Sequence, residues 1–436
     1  MAAPKASEAR KRIMEGEPAK APFSSTRFTT GCTLLDLNVG GGQGMGWKGG
    51  TLINVVAVEG GGKTQLTAES IAHNYHAKNA EGFWYKFIDR ERRFSFDTDS
   101  MFGMTVCDRS EWVPDTIEEL DGYLSKLLTD AKNPGMIVVD SLDAFSTEET
   151  EERADKRMKQ VDAGKDIKQD GSYTVTTGTP KFLSESLRIT MSKAEKTQTA
   201  VILLSQVRTK LGAMAFDPNK FNRNGGKALD HWCDTILWLK PIHDLTVGSK
   251  EDGSFRKVGA VVKAWTTKAS TPRPYRECIY SILFDYGIDN IGSNVDYLFN
   301  LRDPKTGALR DPDSKEYGKA QDVTKEVLVS WVPGAEKTPE AVQAWLLEIG
   351  KLEDAKAERK AEAGHTRMSL EWMDAWIAKD PELQAAYVAR FPVFTRDQLI
   401  RAIEADKAME AELVRRTVER WEAVEAMAAS NRRSKF

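Results

Sequence analysis

Short apolar runs alternate with amphipathic stretches along most of this chain, and that alternation sets the first expectation of its fold. "TLINVVAV" (51–58), "WYKFID" (84–89), "GMIVVD" (135–140), "TAVILLSQ" (199–206) and "DTILWL" (234–239) read as strands. Between them, Thr64–Asn79, Thr116–Ala131 and Phe182–Lys196 repeat apolar residues at helical spacing. Strands without a polar face need cover on both sides. The pattern therefore predicts an α/β fold with a mainly parallel, doubly covered sheet over residues 23–302. The alternation lapses twice. From Thr147 to Pro180 the run "EETEERADKRMK" reads as a solvated helix and "QDGSYTVTTGTP" as a loop, and Thr209 to Gly226 is polar. Residues 1–22 read as an N-terminal arm, 303–338 as a linker and 339–436 as a helical C-terminal region.

Composition narrows the class. The chain has 436 residues, 41% of them hydrophobic, enough for one large domain and something smaller. A net charge of −3 means that any contact with nucleic acid must come from a local basic surface. Cys32, Cys107, Cys233 and Cys278 stand far apart, which argues for reduced thiols in a cytoplasm and against a zinc site or a disulfide framework. The first residues lack an apolar signal core, and no apolar run approaches the ~18 residues that cross a bilayer. A soluble cytoplasmic protein without membrane contact is expected.

Candidate chemistry begins at "NVVAVEGGGKTQL", where an apolar strand feeds a glycine-rich turn and then a helix. Consecutive backbone N–H groups in such a turn, with the helix N-terminus behind them, cradle phosphate oxygens. Glu59, Gly60, Gly61, Gly62, Lys63, Thr64 and Gln65 form this candidate ATP loop. Lys63 is placed to meet the β/γ-phosphates and Thr64 to ligate Mg²⁺. The pattern's first glycine is Ala57 here, at the strand end and away from the phosphate, so one added methyl is tolerable unless φ must be positive. Asp140 closes the strand "GMIVVD", where a second-shell Mg²⁺ ligand belongs. Asp89 and Glu91 leave another strand in "KFIDRERRF"; a carboxylate there can polarise a water for in-line attack, or be ordinary solvated charge. Gln206 ends a strand before a basic, apolar-studded loop, as a γ-phosphate sensor that moves the loop would. In that loop Arg208, Lys210, Lys220 and Arg223 offer charge, Leu211, Met214, Phe216 and Phe221 offer apolar or stacking contact, and Gly225 and Gly226 follow. His73 and His76, three apart on the first helix, read as surface residues.

These residues together resemble the RecA-type DNA strand-exchange family, closest to its phage UvsX-like branch. The resemblance runs from about Phe28 to Leu301 through "TTGCTLLDLNVGGG", "FIDRE", "VVDSLDAF", "SQVRTKLGAMAFDPN" and "FDYGIDNIG". It implies a RecA-like P-loop ATPase core that binds ATP and Mg²⁺ between protomers of a helical filament. The filament would hold single-stranded DNA, pair it with homologous duplex DNA, and work with single-strand-binding and loader proteins. By resemblance Glu91 activates the water, Gln206 senses the γ-phosphate and Asp97 approaches the adenine. Loops near 168–179 and 207–224 would touch DNA, and Lys181 and Arg188, seven apart on one helix face, would hold its phosphates. Lys268 would reach the neighbouring protomer's ATP. The chain departs from the family pattern at Ala57, at Thr266 where a second such lysine is expected, and at Asp230 and His231, where bacterial members have a lysine and an aromatic. Two other readings stay open: a ring-forming helicase or motor on the same core, and an ATP-binding regulatory or structural subunit with little hydrolysis.

Overall fold

The computed structural model describes residues 26–42, 44–77, 82–162, 178–209, 221–223, 226–271, 273–310, 328–330 and 337–428. In chain order, β1 (Arg27–Phe28), α1 (Thr33–Gly40) and β2 (Trp47–Lys48) precede the phosphate-loop unit β3 (Leu52–Ala57) and α2 (Lys63–His76). Next come β4 (Trp84–Asp89), α3 (Thr98–Phe102), α4 (Ile117–Asp130), β5 (Gly135–Asp140) and, after a single 3₁₀ turn Leu142–Ala144, α5 (Glu148–Asp162). Then α6 (Gly178–Thr197), β6 (Ala200–Thr209), β7 (Phe221–Arg223) and α7 (Gly226–Trp232) lead to β8 (Thr235–Val247), β9 (Arg256–Ala269), β10 (Glu277–Leu283), β11 (Gly287–Asp289) and α8 (Asn290–Leu298).

One mixed sheet organises this part, in the order β11-β10-β9-β8-β3-β6-β5-β4, with β7 paired to β6. The strands β8, β3, β6, β5 and β4 run parallel to their neighbours, and β9, β10 and β11 add an antiparallel limb. The central strand shows why both faces need cover. Ile53, Val55 and Ala57 point into a core with Leu34, Leu66 and Ile71, while Leu52 and Val56 point into another with Leu124, Leu187 and Leu229. Each such aliphatic side chain contributes about 1.5–3 kcal/mol when fully buried. The chain crosses from strand to strand through α2, α4 and α6, which puts the carboxyl ends of the parallel strands on one edge. That edge is where an open α/β sheet binds its ligands.

The limb differs from the sequence expectation in length. β8 continues past Leu239 to Val247 and curls through register shifts at Ile236/Leu237, Pro241/His243 and Leu245/Thr246. Pro241 sits at one of these irregularities, where a missing backbone N–H costs no ladder bond. The half-exposed end of this hairpin has too little apolar character to read as a strand. The charged run after Thr147 is α5, an exposed helix, and residues 163–177 lie outside the described residues.

C-terminal packing divides within the helical region. α9 (Pro339–Glu348), α10 (Leu352–Ala363), α11 (Leu370–Ile377) and α12 (Pro381–Arg390) gather their own core of Val342, Trp345, Leu346, Met373, Ile377 and Phe391. Within the expected linker, β12 (Leu328–Ser330) pairs with β13 (Val393–Thr395). The last two helices, α13 (Arg396–Ala405) and α14 (Lys407–Met427), return to the sheet-bearing core: Leu399, Ile403 and Leu413 pack on Val295 and Leu298 of α8, and Trp421 joins the main core. Charge reinforces this seam. Arg302 and Arg396 both bind the buried Asp296 at 2.6 Å, and Glu425 bridges Arg273 and Arg276 at 2.9 Å each.

Candidate nucleotide site

The loop after β3 is shaped by glycines at positions that a side chain cannot occupy. Gly62 caps α2 with φ of 82°, and a Cβ there would lie 2.6 Å from Ile282 Cδ1. Gly61 faces Ala57 itself: a Cβ on Gly61 would meet Ala57 Cβ at 2.6 Å and the Val58 carbonyl oxygen at 2.9 Å. Ala57 is fully buried in the strand, and its methyl points into the core. Its carbonyl oxygen lies 3.4 Å from Lys63 Nζ, which donates to it from the first turn of α2. The Lys63 ammonium is buried, which pulls its pKa down, and the surrounding carboxylates of Asp140, Glu91, Asp143 and Glu59 oppose that shift. A buried cation at the N-terminus of a helix suits a polyanionic ligand.

Around this loop the strand ends converge. Thr64 Oγ1 donates to Asp140 Oδ2 at 2.6 Å, joining α2 to the end of β5. The peptide bond from Asp140 to Ser141 is cis. Burial pushes the Asp140 carboxyl up to about 6, with the nearby charges of Glu91 and Asp89 adding to the effect and Thr64 and Lys63 opposing it. The two carboxylates that leave β4 have different jobs. Asp89 is turned inward and accepts the Phe94 amide at 2.9 Å, tying down the loop 90–94. Glu91 Oε1 instead accepts Ser141 Oγ at 2.5 Å and Gln206 Nε2 at 2.8 Å. The backbone delivers Glu91 there because the Arg90 amide donates to the Asp140 carbonyl at 2.7 Å and Arg92 adopts a left-handed φ of 54°. Gln206 is presented at the end of the sheet, where its backbone N–H donates to Asp143 Oδ2 at 2.7 Å.

A cavity of ≈ 390 Å³ opens over these groups. Its lining includes Gly60–Gln65, Asp89, Glu91, Asp140 and, on the far side, Phe96, Val262 and Phe284. Ser141, Asp143, Arg93 and Phe96 belong to this neighbourhood without having been singled out by motif.

A family model, that of the RecA N-terminal domain, matches residues 10–289. The chain belongs to the RecA family. Protein RecA of Sulfurovum sp. (strain NBC37-1) is 26% identical over 310 residues, covering 69% of this chain and 78% of that protein. Protein RecA of Clavibacter michiganensis subsp. michiganensis is 25% identical over 349 residues, 80% of this chain and 86% of its own length. Among solved structures, the RadB recombinase superposes with a TM-score of 0.39 at 19% identity, covering 60% of this chain and 98% of that one.

The groups that RecA-family resemblance assigns to ATP chemistry fall unevenly in this geometry. Lys63, Thr64, Asp140, Glu91 and Gln206 share one neighbourhood through Thr64–Asp140 and Glu91–Gln206 contacts. Gln65 reaches the Leu283 carbonyl at 3.4 Å, and Glu59 is exposed on the loop. Asp97 follows the lining residues Ser95 and Phe96, and its carboxylate caps α3 by accepting Ser100 N at 3.1 Å and Ser100 Oγ at 2.7 Å. Thr64 and Asp140 are hard oxygen donors fit for Mg²⁺. Among the described residues no three acidic, His or Cys side chains form a metal cage.

Lys268 lies elsewhere. It is a residue of β9, and its Nζ donates to the carbonyls of Asp230 (2.7 Å) and His231 (2.9 Å) in the last turn of α7. Thr266 is buried and its hydroxyl donates to the Pro274 carbonyl, while Lys263 pairs with Glu277 at 2.8 Å. Of the DNA candidates, Arg188 is exposed on α6. Lys181, Arg208, Arg223 and Gly226 are placed in α6, β6, β7 and α7 by their backbone alone. Lys210, Leu211, Met214, Phe216, Lys220 and Gly225 lie outside the described residues.

Proposed function

We propose that this chain is an ATP-dependent DNA recombinase of the phage type. It assembles with ATP into an open helical filament on single-stranded DNA and promotes homologous pairing and strand exchange. The observation that carries the reading is the hydrogen bond between Gln206 and Glu91, made where β6 leaves its pairing with β3 and runs on toward the proposed DNA loop. β6 extends beyond the ladder with β5 and pairs with β7 through Val207–Arg223 and Thr209–Phe221. A change at the Gln206 side chain therefore acts on the strand that leads into residues 210–220.

In this mechanism Lys63 and the loop amides bind the phosphates, and Thr64 and Asp140 would hold Mg²⁺, which would supply charge neutralisation to them. Glu91 takes the proton of the attacking water. Gln206 leaves Glu91 for the γ-phosphate, freeing the carboxylate to act as base and signalling to the loop. Lys268 leaves its own α7 and meets the developing charge on the neighbouring protomer's phosphate. An interface of unlike faces that does not close gives an open filament. The basic loops then neutralise DNA phosphates with little preference for sequence. The reading places the protein in a cytoplasm, and none of the described helices is long and apolar enough to cross a membrane. Electron microscopy with single-stranded DNA and ATP tests it: open filaments are expected. Closed rings would favour a motor, and neither assembly would favour a nucleotide-binding subunit.

A further inference from the structure

We infer that Asp143 is a positioning residue for the phosphate sensor: its carboxylate pins the main chain of Gln206 and so aims the Gln206 side chain at Glu91. The inference rests on the recombinase reading and adds a residue to it. The need for a pin comes from the sheet. The ladder between β5 and β6 ends at the pair Val139–Leu203, whereas β6 continues to Thr209. On its other side β6 stays paired with β3 up to Ala57–Gln206, and only beyond that does β7 begin, at Val207–Arg223. Gln206 thus stands where one set of partners stops and another starts. A backbone N–H at that junction has lost its strand acceptor, and a buried unmade bond is costly.

Asp143 supplies the acceptor. It lies in the 3₁₀ turn Leu142–Ala144 that follows β5, and its Oδ2 receives the Gln206 N–H at 2.7 Å. Ser141 immediately precedes this turn, and its hydroxyl donates to the Glu91 oxygen that also accepts Gln206. One short segment therefore sets both ends of the Glu91–Gln206 contact. With its main chain fixed, Gln206 can exchange Glu91 for a phosphate oxygen only by moving its side chain or by tilting β6 about this point. Either motion is transmitted toward the loop, whereas an unpinned strand end would absorb it. This is a positioning role, and Asp143 touches neither ATP nor water in it.

The test uses the full-length protein and measures steady-state ATP hydrolysis with and without single-stranded DNA. Asp143→Ala should lower the DNA-stimulated kcat about tenfold, the scale of one lost charge-assisted hydrogen bond, while the KM for ATP stays within about twofold. Asp143→Asn keeps an acceptor oxygen and should restore most of the rate. In a Gln206→Ala background, Asp143→Ala should add little, because both changes disable one device. Asp143→Glu, which keeps the charge and displaces the acceptor by a methylene, covers the case in which the alanine variant does not fold; it too should lose stimulation with KM kept. Full stimulation in Asp143→Ala or Asp143→Glu, an additive loss in the Gln206→Ala background, or no rescue by Asp143→Asn would overturn the inference alone. A wild-type protein without DNA stimulation would overturn the recombinase reading and the inference with it.

Discussion

The nucleotide cavity and the Lys268 edge belong to one sheet, yet their functional side chains are held in opposite ways. In the cavity the groups hold each other: Thr64 on Asp140, and Ser141 and Gln206 on Glu91. At the edge, Lys268 is held by backbone carbonyls of its own α7, away from any of these groups. The first arrangement is preassembled in a single chain. In the proposed reading the second is a resting position, and a weak one: a cation at an exposed helix C-terminus is stabilised by only about 0.3–1 kcal/mol. A phosphate carrying several negative charges in a protein interface is a stronger partner for the same ammonium. Preassembly in one half and easy release in the other is what the proposed sharing of the site between subunits would require.

The most severe way to break the preassembled half is Lys63→Ala. The phosphate cradle loses its buried cation among four carboxylates, and ATP binding measured by a fluorescent analogue should disappear; retained affinity would show that the loop amides suffice. Glu91→Gln separates chemistry from binding. The amide oxygen still accepts Ser141 and Gln206, so ATP should bind normally, while turnover falls by roughly 10²-fold, the scale of losing a general base. Unchanged turnover would shift that role to another group, although Asp89 is already committed to the Phe94 amide.

Ala57→Gly should have the smallest effect. The methyl is buried beneath Gly61, so ATP affinity should stay within about twofold and stability should drop by about 1 kcal/mol for the lost methyl. A large gain in affinity would mean that the natural loop is impaired. The contact geometry sharpens this prediction, since Gly61→Ala should be tolerated better in the Ala57→Gly background, where one of its two clashes is gone.

How much of this was legible depended on how local the cause was. β4 and β5 were read to their ends, and the turn at Gly60–Thr64 was found whole, because a strand–turn–helix writes its signal in consecutive residues. The antiparallel limb was not separable from the rest, since a buried strand looks the same in either direction. The Glu91–Gln206 contact joins residues 115 apart; strand ends and family resemblance mark each residue singly and say nothing of their contact. Asp143 stood in plain view in "VVDSLDAF" without a role, because one carboxylate after a strand has no periodicity to distinguish it. Asp97 carries its adenine role by family resemblance alone, and the local sequence does not reveal that its carboxylate also caps the turn into α3. The C-terminal helices were recognised as helices; that α13 and α14 cover α8 was not, because spacing shows which face is apolar and not what it meets.

The central claim is that hydrolysis is completed across a subunit boundary, and mixing two inactive variants tests it directly. Lys63→Ala keeps a good lysine beside a dead loop, and Lys268→Ala keeps a good loop beside a missing lysine. In an equimolar mixture with single-stranded DNA and ATP, about one interface in four would pair the good loop with the good lysine if unlike faces meet at random. DNA-stimulated hydrolysis should therefore reappear in the mixture well above the sum of the two variants alone. A mixture no more active than that sum, or full activity of Lys268→Ala by itself, would contradict the account.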